Sequence, residues 1–175
     1  MWPLTRLYSI RSRLVLGLVL ALMIATAWHF GFAPRRFVWL ANGIIVPPAR
    51  AAEFYPGNDP SEPYWMPTLA DVARLERGLP AHLQSQAGKG CCLQPGTPRR
   101  LDDYVRIYVG MYEHGRRVIV VQLNQRNNYE AVGDFEPARP WTQPLMVSDG
   151  GDSLMMTTWD VLDGTFHHFM THGEA

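Results

Sequence analysis

His167, His168 and His172, close together near the C-terminus, are the residues of this chain with the most chemistry to offer. On a regular extended strand His168 and His172 project to one face and His167 to the other, so two imidazoles could share a metal ion. Catalytic zinc takes three protein ligands and keeps a position open; the third would have to come from Asp160 or Asp163 across the neighbouring turn. The plainer reading puts His172 in a turn before Gly173 and leaves His167 or His168 on an exposed strand face. Asp149-Gly150-Gly151-Asp152 is a second constellation, since carboxylates bind hard cations and glycines let backbone amides approach an anion. The same four residues suit a turn or bulge introducing a strand. They lack the spaced oxygen ligands of an EF-hand and the Gly-Lys-Ser/Thr ending of a phosphate loop.

Cys91 and Cys92 are the only cysteines and are adjacent, which rules out a long-range disulfide framework within one chain. A vicinal disulfide, a bridge to another chain and free thiols all remain open. Cys91 could pair with His114 as nucleophile and base only if the fold brought them together. Gly-x-Ser-x-Gly, His-Glu-x-x-His and Ser-x-x-Lys are all missing, so serine hydrolases, zincins and penicillin-binding enzymes find no support. No motif calls for a cofactor.

Tyr104, Arg106, Tyr108 and Tyr112 alternate with Val105, Ile107, Val109 and Met111. Tyr and Arg are enriched at protein interfaces, so this face of one strand is a candidate interaction surface, provided that neither helix nor loop covers it. The competing reading packs it under the proline-rich segment described next.

The elements that must position these residues begin with an address. Leu14 to Ile24 is uncharged, follows Arg6, Arg11 and Arg13, and runs into Ala25-Thr26-Ala27, the three parts of a secretory signal. Extended through Trp28 to Ala33, the apolar run also reaches the roughly 20 residues that span a bilayer. Residues 1–33 are therefore a cleaved signal or a retained anchor, with the N-terminus kept in the cytoplasm by its basic cluster. The remainder is expected in the periplasm or secreted, or tethered at the inner membrane through this segment. No cysteine follows the apolar run closely enough for a lipoprotein. After Ala27 the chain holds thirteen of its sixteen Lys and Arg against all sixteen Asp and Glu. Without a basic stripe, no nucleic-acid partner is expected.

Residues 34–67 hold Pro47, Pro48, Pro56, Pro60 and Pro63 among Gly43, Gly57, Asn58 and Asp59, a density read as a linker. Its first part, Phe37 to Val46, is too short to span and either lies on the membrane or packs on the domain. Residues 68–175 are expected to form one α+β domain. Thr68 and Asp71 signal a helix start, and Val72, Leu75, Leu79 and Leu83 form an apolar stripe behind it. Gly78 and Pro80 predict a kink or a second short helix.

Beyond residue 98 the period changes to two. Tyr104 to Tyr112 and Arg117 to Leu123 predict a hairpin closed at Glu113-His114-Gly115-Arg116. Asn124 to Pro144 reads as a long connection with Trp141 as its anchor. Ser153 to Val161 and Thr165 to Thr171 predict two more strands around Leu162-Asp163-Gly164. The expectation is a helix on one face of an antiparallel sheet of about four strands.

The pieces YVRIYVGMYEHGRRVIVV, VSDGGDSLMM, WDVLDGTF and THGEA resemble a group of uncharacterised bacterial envelope proteins. The resemblance runs from Leu101 to Ala175, implies shared fold and transfers no catalytic residue. That group's pattern has Asn before the final Gly, where this chain has His172, which weakens a metal role for that histidine. The expected architecture is also similar to cystatin-like and PepSY-like modules. These readings lead to a non-enzymatic envelope module that binds a ligand or another envelope protein. The alternative is a metal-dependent or hydrolytic enzyme using the Asp149 to Asp152 loop with His168 or His172.

Overall fold

The computed structural model describes residues 36–56, 59, 61–89, 100–131, 141–144 and 151–172, with residue 15 alone before them. The chain divides into two units, Met1–Ala33 and Pro34–Ala175, and every element named below belongs to the second. The leader, Cys91, Cys92, Asp149 and Gly150 lie outside the described residues, as do the side chains of Asp152 and His172. Among the described residues no helix is long and apolar enough to cross a membrane.

Residues with high β-propensity build a six-stranded sheet in which spatial order follows chain order: β1 (Val38–Leu40), β2 (Gly43–Ile45), β3 (Tyr104–Glu113), β4 (Arg116–Gln125), β5 (Gly151–Asp160) and β6 (Phe166–His172). All neighbours are antiparallel except β2 and β3, which run parallel. The expected four antiparallel strands are present as β3 to β6. The sequence reading missed β1 and β2 because three residues are too few to display an alternation.

Those two strands also correct the linker reading of residues 34–67. Ile44, Ile45 and Val46 are buried in the sheet, so Phe37 to Val46 packs on the domain. Pro47 then ends the pairing, since proline cannot donate to a ladder, and Pro48 opens helix α1 (Pro48–Phe54) at a position where its missing N–H is harmless. The parallel step from β2 to β3 requires a long crossover, which the prolines articulate.

The crossover covers both faces of the sheet. On one face α1 sets Ala51 and Phe54 against Val105, Ile107, Val109, Val118 and Val120. A strap around Trp65 then crosses to the other face, pairing with Gly110 of β3 just beyond the end of β2. There α2 (Leu69–Gln86) begins with the expected cap: Asp71 N donates to Thr68 Oγ1 at 3.1 Å and Thr68 N to Asp71 Oδ2 at 3.1 Å. Val72, Leu75, Leu79 and Leu83 are buried against Tyr108, Ile119, Val121 and Trp159. The helix runs on through Pro80 to Gln86, so no second helix starts there. Leu79 and Leu83 on either side of Pro80 are both buried, and their burial offsets the backbone hydrogen bond that proline removes.

Helix α2 settles the fate of the tyrosine face. Tyr104 and Tyr108 are each 1% exposed and Arg106 7%, with Tyr112 half-buried. This face is core, covered by α2 together with Trp65 and Met66 at the end of the proline-rich segment, and it does not offer the free interaction surface expected for Tyr104, Arg106, Tyr108 and Tyr112. Glu76 of α2 makes the polar residues tolerable there. It accepts a 2.5 Å hydrogen bond from the Tyr108 hydroxyl and lies 3.2 Å from Arg106 Nε. Burial, with the Glu76 charge beside it, pushes the Tyr108 phenol far above its ordinary range, so it remains a donor.

The predicted turns are in place, but the first is shorter than the four residues expected: Glu113 and Arg116 pair as strand ends and leave a two-residue turn. His114 and Gly115 both have positive φ, 52° and 76°, the property of the type I′ turns that suit the twist of a hairpin. The long connection after β4 contains a third helix, α3 (Arg126–Ala131). Trp141 packs against Trp39 of β1, with ring centroids 6.0 Å apart.

Candidate functional site

Regular strands would separate His167 and His168, because adjacent residues project to opposite faces. In β6 they do not separate. The register runs from Thr158 opposite His167 to Met156 opposite Met170, so two residues of β5 face three of β6. The extra residue makes a β-bulge, and His168 takes a left-handed backbone there with φ 53°. A bulge re-aims side chains. Here it turns both imidazoles onto one carboxylate: His167 Nε2 lies 3.3 Å from Glu113 Oε2 and His168 Nε2 lies 3.2 Å from Glu113 Oε1. The two rings meet edge to face at 4.8 Å.

Glu113 comes from the far side of the site. It ends β3, three strand positions from β6, a separation of about 14 Å in a flat sheet. Contact requires the sheet to coil toward this face and long side chains to lean in from both sides. The resulting rim is open to solvent: the side chains of Glu113, His167 and His168 are 31%, 33% and 65% exposed.

The bulge has its own support on the opposite face. A left-handed non-glycine residue costs on the order of 1–3 kcal/mol and persists only where its surroundings impose it. The Thr157 hydroxyl donates to the His167 carbonyl at 3.1 Å, and His82 Nε2 of α2 lies 3.0 Å from the same hydroxyl. Because the single hydroxyl proton is committed to His167, the imidazole must donate, which places a proton on Nε2 of His82. His82 is held by stacking on Phe166 at 4.5 Å and by the edge of Phe169 at 5.9 Å. Burial, with Lys89 adding to it, keeps its pKa below the ordinary 6.5, so the ring is neutral at neutral pH. A chain of contacts thus runs from α2 through Thr157 to the backbone that aims the histidine pair.

The aspartates expected to assist the histidines are committed elsewhere. Asp160 Oδ1 accepts from the amides of Leu162 at 2.8 Å and Asp163 at 2.9 Å, and its Oδ2 pairs with Arg116 Nε at 2.9 Å. Asp163 pairs with the same guanidinium. Both therefore build the turn between β5 and β6. Burial would raise the Asp160 carboxyl, but the Asp163 and Leu162 amides, together with Arg116, outweigh it and hold the pKa below the ordinary 3.8. Asp160→Ala should lower stability by about 2 kcal/mol, the worth of charge-assisted bonds to backbone donors. A carboxylate with a depressed pKa contributes stability above its unfolded value near 3.8 and loses it as pH falls through the lower folded value. Denaturant unfolding against pH should therefore show the gap between wild type and variant in full at neutral pH and closing only in acid. A gap of constant size across that range would contradict the assignment.

Two expectations on the histidines are corrected together. His167 and His168 share a target although simple alternation opposes them, and the third group is Glu113 rather than Asp160 or Asp163. Glu113 carried no sequence signal beyond its place in the expected hairpin turn, because three strand positions separate it from the histidines. Of the Asp149 to Asp152 loop, Gly151 and the backbone of Asp152 are described; both belong to β5, which Gly151 opens with φ 51° opposite His172. A Cys91 and His114 pair lies outside the described residues on its cysteine side.

The three side chains offer two imidazole nitrogens and a carboxylate oxygen, all within 4.8 Å of one another. Such a set can accept hydrogen bonds, take up protons or ligate a cation. Comparison with protein-family models, curated proteins and solved structures finds no match to this chain.

Proposed function

We propose that this is an exported bacterial envelope protein whose α+β domain is a non-enzymatic binding module, with the Glu113, His167 and His168 rim as its ligand site. The observation that carries this reading is the left-handed His168 on an exposed rim. Strain of this kind gathers where geometry serves a ligand, and a solvent-exposed side chain has no packing need for it. Binding rather than turnover is favoured because, among the described residues, no nucleophile paired with a base stands at the rim. The N-terminal segment gives the module its route across the membrane, and its anchor if it is retained. The partner is another envelope component.

The test follows the imidazole resonances of the full chain as host envelope material is added, first the small-molecule fraction and then the proteins. Changes should fall on His167 and His168 and spare His114. Changes that fall elsewhere and leave the pair unmoved would refute the assignment. A second reading keeps a metal-dependent or hydrolytic enzyme, because two histidines and a glutamate are also a catalytic zinc set. It requires ester or phosphodiester turnover that disappears in His167→Ala.

A further inference from the structure

We propose that Glu113, His167 and His168 bind one divalent transition-metal ion of the zinc class, with a fourth coordination position left to water or to a group on the partner. The inference rests on the rim being the module's ligand site and names what that site takes.

Spacing is the first argument. Ligands bound to a tetrahedral ion at zinc-like distances stand about 3.4 Å apart. His167 Nε2 stands 3.3 Å from one Glu113 oxygen and His168 Nε2 3.2 Å from the other, and the ligand atoms of all three residues lie within 4.8 Å of one another, so an ion would enter as the carboxylate and the exposed His168 ring turn to share it. Hydrogen bonds from ring to carboxylate would give way to bonds from each ring and the carboxylate to the ion, with each imidazole keeping its proton on Nδ1.

Donor type is the second. Calcium and magnesium take oxygen ligands, whereas imidazole suits zinc, copper, nickel and iron. Two nitrogens and one oxygen therefore select the borderline ions. One carboxylate against a dication leaves a single positive charge, which invites an anionic or polar fourth ligand.

The backbone is the third. Two adjacent histidines can serve one ion only through a local break in strand alternation, and β6 has such a break at His168. It is supported from beneath by Thr157 and His82, neither of which touches the proposed ion. Metal sites depend on outer partners that fix their ligands. Thr157 acts here as a positioning residue, holding the carbonyl of His167.

Zinc titrated calorimetrically into the full chain in detergent, with Co2+ as a spectroscopic substitute, tests the proposal. One ion should bind per chain, Co2+ should show the visible absorption of a four-coordinate site, and Ca2+ and Mg2+ should not compete. Losing one of three protein ligands should weaken zinc binding at least about 100-fold in His167→Ala and in Glu113→Gln. His168→Gly serves as the folding control, because glycine accepts the left-handed backbone; it should unfold no earlier than wild type and still lose the ion. Thr157→Val should weaken binding by about 10-fold or more while leaving the metal stoichiometry at one.

The cysteine pair could also hold zinc, so the series is repeated in a chain carrying Cys91→Ser and Cys92→Ser, which should bind as wild type does. Zinc binding that survives the histidine variants and disappears in the cysteine variant overturns the proposal, as does no binding at all. If the His167 and His168 resonances respond to envelope material but not to zinc, the metal assignment falls and the ligand site stands. If they respond to neither, both fall.

Discussion

Tyr108→Ala should destabilise the domain by about 4 kcal/mol, in the range for deleting a fully buried aromatic side chain. Tyr108 is 1% exposed and packs in the core between the sheet and α2, so truncation removes a whole ring from the layer that holds the helix. Tyr108→Phe separates the hydroxyl from the ring. It should cost about 1.5 kcal/mol, the low end for a hydrogen bond to a charged group, because Glu76 is partly solvated and water can replace the phenol. Equilibrium denaturation of the two variants supplies both numbers. In the Glu76→Gln background the cost of Tyr108→Phe should shrink, since the two side chains share one bond. If Tyr108→Ala cost less than about 1 kcal/mol, as surface substitutions do, the tyrosine face would be open and an interaction surface after all.

Gly110→Ala should cost about 3 kcal/mol, the upper part of the usual range for overpacking. A β-carbon at this position would stand 2.4 Å from the Trp65 carbonyl oxygen and 2.9 Å from the Pro67 ring. The nearest of these atoms is backbone and the proline ring is closed onto the backbone, so neither can turn aside as a side-chain tip can. The strap would have to lift, losing the hydrogen bond from Trp65 N to Gly110 O at 3.0 Å and straining that from Trp65 Nε1 to Met111 O at 2.8 Å. Hydrogen exchange at the Trp65 amide reads the local event directly. Faster exchange there, together with the global loss, is the expected pair of results; an unchanged Trp65 amide would show that the strap does not depend on this close approach.

How much of this could be read in advance depended on how local each cause is. The Thr68 and Asp71 cap, the stripe from Val72 to Leu83 and the hairpin at His114-Gly115 are each set by residues within a few positions of one another, and each is present as expected. The second helix expected at Pro80 is not formed, because the local cost of the proline is plain in the sequence whereas the burial of Leu79 and Leu83 that outweighs it is tertiary. The proline density of residues 34–67 misled in the same way. Pro47 and Pro48 end a strand and begin a helix, and those are boundary positions that prolines tolerate.

The tyrosine face shows a different failure. Alternation correctly divided β3 into two sets of side chains, Val105 with Ile107 and Tyr104 with Tyr108. It could not say that both faces would be covered, because a chain that crosses from α1 on one side to α2 on the other is a fact of topology. Tyrosine and arginine are compatible with burial once Glu76 supplies a partner, and that partner lies on another element.

Short stretches of sequence were enough for the local elements: the α2 start and stripe, the strands β3 to β6 and their turns, and the absence of a long-range disulfide framework. Periodicity and turn chemistry act over a few residues and are legible wherever a segment is long enough to repeat. Tertiary structure alone decided that β1 and β2 join the sheet, that the tyrosine face is core, and that Glu113 meets His167 and His168. Each of these depends on strand order, on the coiling of the sheet or on one extra residue in β6, and a bulge reverses the face that simple alternation assigns. The histidines were legible as chemistry, but their shared target was settled by a left-handed backbone whose supports, Thr157 and His82, lie on other elements.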